Sequence, residues 1–525
     1  MRNFLVVFIL CGFVIVAQTQ TPERPANVYW SDEYNIPTGS HLDKIVTPDG
    51  DGFIAARIKS SRFFNAPAVM IERYDSKPNL VKSSKIDLKF KKKRTVYEDV
   101  LMVDKKLYLF TSFNNRGKGK NYLFAQQIDK QKLTVTGKLM MIAEVDARIA
   151  DIGSFGFTLS RDSTKLLVCA EQPNRRSTNE GFTISVFDGD MKLQWSKPVR
   201  LPYEDDRYRI AEYRLDNDGN VYMLGIASER PSLFRFMRSD PNYEYQILAY
   251  RGNGIDTATY RINSGDKFIT NLTARIDGKG HLVCTGFYSD KGTFSIKGTY
   301  FCRLDPVGRN IYNEHSEAFD YDFVTANYSR LGKSIADWAI KNNDARREPE
   351  LYRYKLDQLI LRSDGGALLV AEQFYIVTNT YTDFNGRTIT DYTYYYNDVI
   401  VVNISPDGNI EWASRVPKRQ VTRNDGGYYS SYTHCVAGDR IYVAFNDSPS
   451  NFTKTRRTPR SYSAFSAIVT VAEIAQDGSV LMHNLFSNRD NDTLIRPKAG
   501  LQTGRKELML YGERRRQFRW AAVRF

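Results

Sequence analysis

Three stretches decide the fold: Asp49-Gly50-Asp51-Gly52-Phe53-Ile54-Ala55-Ala56, Asn217-Asp218-Gly219-Asn220-Val221-Tyr222-Met223-Leu224 and Asp364-Gly365-Gly366-Ala367-Leu368-Leu369-Val370-Ala371. Each is a Gly/Asx turn followed at once by a short apolar run. Runs this short, bounded by Gly and Asp, read as buried strands rather than helices. Similar starts recur near Lys105, Ser163, Gly278, Gly438 and Arg505, so the pattern is a repeat. Its second half is a strand, a turn and a more polar strand. Phe182–Pro202 turns at Asp188-Gly189-Asp190, and Tyr300–Phe319 at Asp305-Pro306-Val307-Gly308. Val399–Pro417 turns at Ser405-Pro406-Asp407-Gly408, and Ala467–Phe486 at Gln476-Asp477-Gly478. Gly adopts positive φ at little cost, which makes these residues hairpin chemistry.

Four antiparallel strands per unit make a propeller blade. Eight units begin near residues 42, 98, 155, 209, 272, 358, 432 and 500. The last stops at Trp520–Phe525, a third strand without a fourth. Near the N-terminus, Tyr29-Trp30-Ser31 followed by Pro37 resembles the outer strands Gln194-Trp195-Ser196…Pro202 and Glu411-Trp412-Ala413…Pro417. The expected fold is therefore all-β: one β-propeller over residues 20–525, of eight four-stranded blades, closed by the N-terminal strand. Seven blades is the alternative, because the units near 98 and 500 are the weakest. Two consecutive β-domains would also fit the repeat, but no Pro/Gly/Ser-rich linker interrupts it.

Two segments depart from the repeat. In 321–358, Leu331, Ile335, Trp338 and Ala339 follow helical spacing, which predicts a helix near Arg330–Lys341 packed on the propeller. The stretch 372–398 has no Pro and centres on Asn385-Gly386, a two-residue hairpin signal. Folding about that turn pairs positions summing to 771, such as Tyr375 with Tyr396 and Val377 with Tyr394. Tyr375, Tyr381, Tyr392, Tyr394 and Tyr396 then share one face of an arm roughly 40 Å long. Tyrosine combines apolar area with a polar tip, so this stripe is the candidate protein-binding element. Its alternative role is packing on a neighbouring blade or on the helix.

The N-terminus reads as a signal peptide over residues 1–19: Arg2, then the apolar stretch Phe4–Val16, then Ala17 and Thr19. That stretch is too short to span a membrane, and no later segment of the mature chain is apolar enough to do so. Cys11 follows Phe8-Ile9-Leu10, whereas a lipoprotein signal wants a small residue directly before its Cys. Four cysteines remain, too few for a disulfide scaffold. Cys284 and Cys302 sit on neighbouring strands and form the one candidate disulfide pair.

The formal charge is +14. In an exported protein this points to anionic lipid or glycan surfaces rather than nucleic acid. Candidate basic patches are Lys91, Lys92, Lys93 and Arg94; Arg456, Arg457 and Arg460; and Arg514, Arg515 and Arg516. The five histidines show no metal spacing, and there is no CxxC, nucleophile elbow or phosphate loop. No catalytic residue, metal or cofactor is therefore assigned. Glu204-Asp205-Asp206 reads as solvated loop acid, and Asn217–Asn220 as a turn rather than a calcium loop.

The stretches LRSDGGALLVAEQFY (361–375), YYYNDVIVVNISPDGNIEWASRVPKRQ (394–420) and NDGGYYSSY (424–432) resemble a family of exported, largely uncharacterised β-propellers. The family belongs to Gram-negative bacteria that use type 9 secretion. The resemblance implies an envelope location and brings no catalytic residues. The repeat runs to Phe525 with no appended type 9 sorting domain, which points to the periplasm or outer membrane rather than full secretion. Two functions compete: a non-catalytic binding or scaffold propeller acting through the arm and basic loops, and a carbohydrate-active enzyme with paired carboxylates at a central channel.

Overall fold

The computed structural model describes residues 25–525 except 60–66, 174–180, 202–206, 229–242, 266, 293, 345–346, 383, 385, 454–457 and 465. The signal segment, the acids at 204–206, and Arg456 and Arg457 therefore lie outside the described residues.

The chain is all-β. Among the described residues, eight successive antiparallel sheets of four or more strands span 40–87, 96–146, 154–200, 208–262, 268–318, 354–416, 433–487 and 494–524. Seven run up and down in chain order, as in a β-propeller, and the eighth does so up to the chain's last strand. Seven of the eight predicted unit starts fall within a sheet's first strand or just before it, and the eighth, near 500, falls between Leu494–Ile495 and Leu501–Gly504. The second and third strands are mostly apolar because both faces are covered: every residue of Val221–Ser228, Leu282–Ser289 and Ile468–Ile474 is buried. The last strands are more polar and half solvated, as in Leu193–Arg200.

Several of the turns share one device. Asp216 Oδ1 accepts from the N–H groups of Asp218 and Asn220 at 3.0 and 2.8 Å, while Gly219 takes φ +93°. Asp188 and Asp277 do the same two and four residues on. Such Asx geometry tolerates the left-handed backbone that a tight turn needs.

The outer-strand tryptophans lock neighbouring sheets. Trp195 Nε1 donates to Gly219 O at 3.0 Å, and Trp412 Nε1 donates to Gln476 O at 2.8 Å, each reaching a turn of the next sheet. Trp30 behaves differently: it meets Phe486 of the preceding sheet edge-on, 4.8 Å between centroids.

The N-terminal strand Asn27–Trp30 pairs antiparallel with the chain's last strand, Gln517–Arg524, with Asn27 opposite Arg524 and Trp30 opposite Ala521. Ser31 extends the pairing, donating to Trp520 O and accepting from Trp520 N, both at 2.9 Å. The eighth and first sheets share one core. Trp520, fully buried, meets Phe53 at 4.9 Å, Tyr511 at 4.9 Å and Tyr74 at 5.4 Å. Beside it, buried Arg57 pairs with Glu72 at 3.1 Å and lies 4.4 Å from the Phe518 ring.

Cys284 stands directly opposite Cys302, as the sequence suggests, and both are fully buried. They occur as free thiols, like Cys169 and Cys435. The contact with Cys302, then burial, pushes the Cys284 thiol well up.

A chain beginning at residue 39 should melt well below one beginning at residue 25, because it uncovers the edge Gln517–Arg524 and loses the Ser31–Trp520 bonds. Equal melting temperatures by differential scanning calorimetry would contradict this.

Candidate functional site

In an up-and-down sheet of four strands, the middle hairpin and the connection to the next sheet lie at one end. The first and last hairpins lie at the other. Here the second end carries only tight turns, including 49–52, 188–192, 216–220, 305–310 and 405–409. The first end carries every large departure from the repeat: the connection 319–353, the extended hairpin of the sixth sheet, and the segment 448–467.

The extended hairpin forms, but in a different register. Its strands are Ala367–Thr382 and Thr388–Ile404. Tyr375 pairs with Tyr395, Ile376 with Tyr394, Thr378 with Tyr392 and Tyr381 with Ile389. The pair nearest the tip is Thr382 with Thr388, and the predicted turn at Asn385-Gly386 falls on Asn385, which lies outside the described residues. A one-residue slip moves side chains to the opposite face. The predicted stripe is therefore split: Tyr375 and Tyr381 lie on one face, and Tyr392, Tyr394 and Tyr396 on the other. The strands leave the sheet at a bulge between Glu372 and Phe374. Nine residues, Phe374–Thr382, give an arm of about 30 Å rather than 40 Å. A third strand, Gln420–Arg423, covers the outer edge of its base.

The tyrosines divide by role. Tyr396 is buried against Phe374, with Lys498 Nζ 4.3 Å from its ring, so it anchors the arm. Tyr375 stacks on Tyr395 at 4.6 Å, and the Arg353 guanidinium sits 5.3 Å from the Tyr375 ring. Tyr394 is half-buried, whereas Tyr381 and Tyr392 are 48% and 43% exposed.

An ionic cluster fixes the arm's root. Lys418, fully buried, donates to Glu372 at 2.7 Å and to the Tyr396 carbonyl at 3.0 Å. Ser431 Oγ donates to the other Glu372 oxygen at 2.7 Å. Burial pulls the Lys418 ammonium below its usual range, opposed by Glu372. Nearby Asp357 is pushed up to about 6 by burial and then by the Glu372 charge.

The helical insertion is tied to the same root. Asn327 donates to Asp398 at 2.7 Å, and Arg415 bonds both Asp398 and the Phe323 carbonyl. Its helices are α1, Tyr321–Thr325, and α2, Arg330–Lys341, the latter where the spacing predicts it. Ser329 caps α2 by accepting from Gly332 N. Of the predicted face, Ala339 alone packs. Ala336 and Ala339 are buried, because small side chains allow close approach. Leu331, Ile335 and Trp338 point outward, 71%, 49% and 49% exposed.

The basic patches take different settings. Lys91-Lys92 and Arg515-Arg516 form two-residue hairpin turns with both residues at positive φ, 45° and 67°, then 49° and 69°. These positions normally take Asn-Gly. Lys93 Nζ lies 5.7 Å from the Phe113 ring, and Arg94 is exposed beside it. Arg514 pairs with Asp492 at 2.6 Å, and Arg460 is exposed.

Carboxylates on the first strands of the sheets already have partners. Asp43 accepts from Tyr97 at 2.7 Å, Asp99 pairs with Lys44, and Glu212 is shared by two arginines. Among the described residues, no group of three or more His, Cys, Asp or Glu side chains is placed to hold a metal ion. No described helix is long and apolar enough to cross a membrane.

No family model matches the chain, and no curated protein matches it. Solved structures similar to it include the WD40 domain of SCAP from fission yeast, at 7% identity and TM-score 0.41, covering 95% of this chain and 94% of that one. Another is the β-propeller domain of the Trilobed protease from Pyrococcus furiosus, at 10% identity and TM-score 0.33, covering 75% and 95%. A third is the Penicillium chrysogenum α-L-arabinanase, at 10% identity and TM-score 0.33, covering 66% and 92%.

Two predictions follow from this geometry. The Asp357 carboxyl has a folded pKa above its unfolded value near 4, so its ionised form is penalised in the fold. Stability is lost as pH rises through about 6. Asp357→Asn should therefore melt above the parent at pH ~7.5, with the gap closing towards pH ~4. A gap constant with pH would contradict it. Replacing Arg515-Arg516 by Asn-Gly should raise stability by about 1 kcal/mol, read from the denaturant midpoint. An unchanged or lower midpoint would show that the turn is unstrained.

Proposed function

We propose that the protein is an exported, non-catalytic binding or scaffold propeller of the bacterial cell envelope. It engages a protein partner through the insertion end. One observation carries this reading: the largest departures from the repeat expose Leu331, Ile335 and Trp338 of α2, and Tyr381 and Tyr392 of the arm, at the same end of the sheets. Rigid roots hold both elements. Exposed aromatic and aliphatic side chains on such supports are the composition of a contact surface. The basic turns at Lys91-Lys92 and Arg515-Arg516 lie at that end too, where an anionic envelope surface would meet them.

The eight sheets are read as blades of a single ring closed by the N-terminal strand. The pairing of Asn27–Trp30 with the last strand and the core shared by the eighth and first sheets support this. Export and envelope residence rest on the N-terminal signal and the family resemblance.

The variant Leu331→Ser, Trp338→Ser, Tyr392→Ala should fold and melt like the parent, because all three residues are exposed. It should weaken an isolated envelope complex by about 30-fold or more, since one buried interface aromatic commonly contributes ~2 kcal/mol. Val307→Ser, on an exposed turn at the other end, should leave the complex intact. If the triple variant retains the complex, or Val307→Ser loses it, the reading is wrong.

A further inference from the structure

The first strands of four consecutive sheets line an open cavity of about 430 Å³ that none of the elements above uses. Leu159, Leu215, Ile276 and Leu361 supply apolar walls, one from each sheet. Three cations face it: Arg161 from the turn after Ser154–Leu159, Arg214 from Tyr208–Leu215, and Arg275 from Phe268–Ile276.

The cations outnumber their partner. Glu212 pairs with Arg214 and lies 3.7 Å from Arg275, so one carboxylate serves two guanidinium groups. It also accepts from Thr273 Oγ1 at 2.8 Å. Arg214 is held by the carbonyls of Ala274 at 2.7 Å and Tyr213 at 2.9 Å, and Arg275 by Ala274 O at 2.9 Å. The cations are thus fixed in place before anything binds. Arg161 is exposed and makes no hydrogen bond or ion pair among the described residues. Burial, and then Arg275, pull the Arg214 guanidinium down to about 10, although Glu212 opposes the shift. Apolar side chains stand beside the cations, so an anion with an apolar body meets both kinds of surface.

We propose that this cavity, at the tight-turn end of the inner strands, binds a small organic anion: a carboxylate, sulfate or phosphate head against Arg161 and Arg275, with an apolar body against the leucines. The volume lies within the range of small-molecule sites. The site is opposite the insertion end, so it stands or falls independently of the protein-binding reading.

Calorimetric titration of the full chain at low salt, with inorganic phosphate and with phenyl phosphate, tests it. Phenyl phosphate should bind more tightly than phosphate, and both should weaken as salt is raised. Arg161→Ala should reduce affinity about tenfold, and Arg275→Gln should do likewise. Because Arg161 is exposed, its variant decides the matter if Arg275→Gln fails to fold. A Lys91→Ala, Lys92→Ala variant should bind like the parent. Absence of binding by both probes, unchanged binding by Arg161→Ala, or loss of binding in the Lys91/Lys92 variant would each overturn the proposal. The last would place the anion on the exposed basic turns.

Discussion

A four-stranded up-and-down sheet returns the chain to the end at which it entered. That parity constrains everything else in this molecule. Repeated sheet after sheet, it gives one end short Asx-Gly turns that bond to their neighbours. Long connections and extended middle hairpins are left for the other. The turn Asp216–Asn220 is held by its aspartate and locked by Trp195 from the preceding sheet. An insertion there would break contacts between sheets. At the opposite end an insertion only lengthens a loop, whose entropic cost grows slowly with length.

What grows at that end is anchored rather than loose. Lys418 and Glu372 are both buried, and such a pair contributes little net stability over apolar substitutes. Its effect is specific geometry. Lys418 also binds the Tyr396 carbonyl, so it fixes where the strands leave the sheet beside the bulge at Glu372 and Phe374. Asp398 joins that root to the helical insertion through Asn327 and Arg415. The arm and α2 therefore project from one supported base.

The repeat was legible because buried strands bounded by Gly and Asp leave a strong local signal. The range of α2 was legible from the spacing of Leu331, Ile335 and Trp338. The side of α2 that packs was legible only at Ala339: it and Ala336 allow close approach, whereas the large residues of the stripe point away. The arm's register failed for a similar reason. Asn385-Gly386 favours a two-residue turn, but the strands pair one position out of that register, which redistributes the tyrosines. Charged residues at positive φ in the turns Lys91-Lys92 and Arg515-Arg516 carry no sequence signature. The arginines of the inner cavity come from three separate sheets, and only folding brings them together.

The central claim is that the insertion end, not the turn end, meets the partner. Site-specific photo-crosslinking in the native cells tests it most directly, with a photoreactive residue placed in turn at Trp338, Tyr392 and Val307. The account predicts the same discrete adduct from Trp338 and Tyr392 and none from Val307. An adduct from Val307 alone, or none from the first two positions, would contradict it.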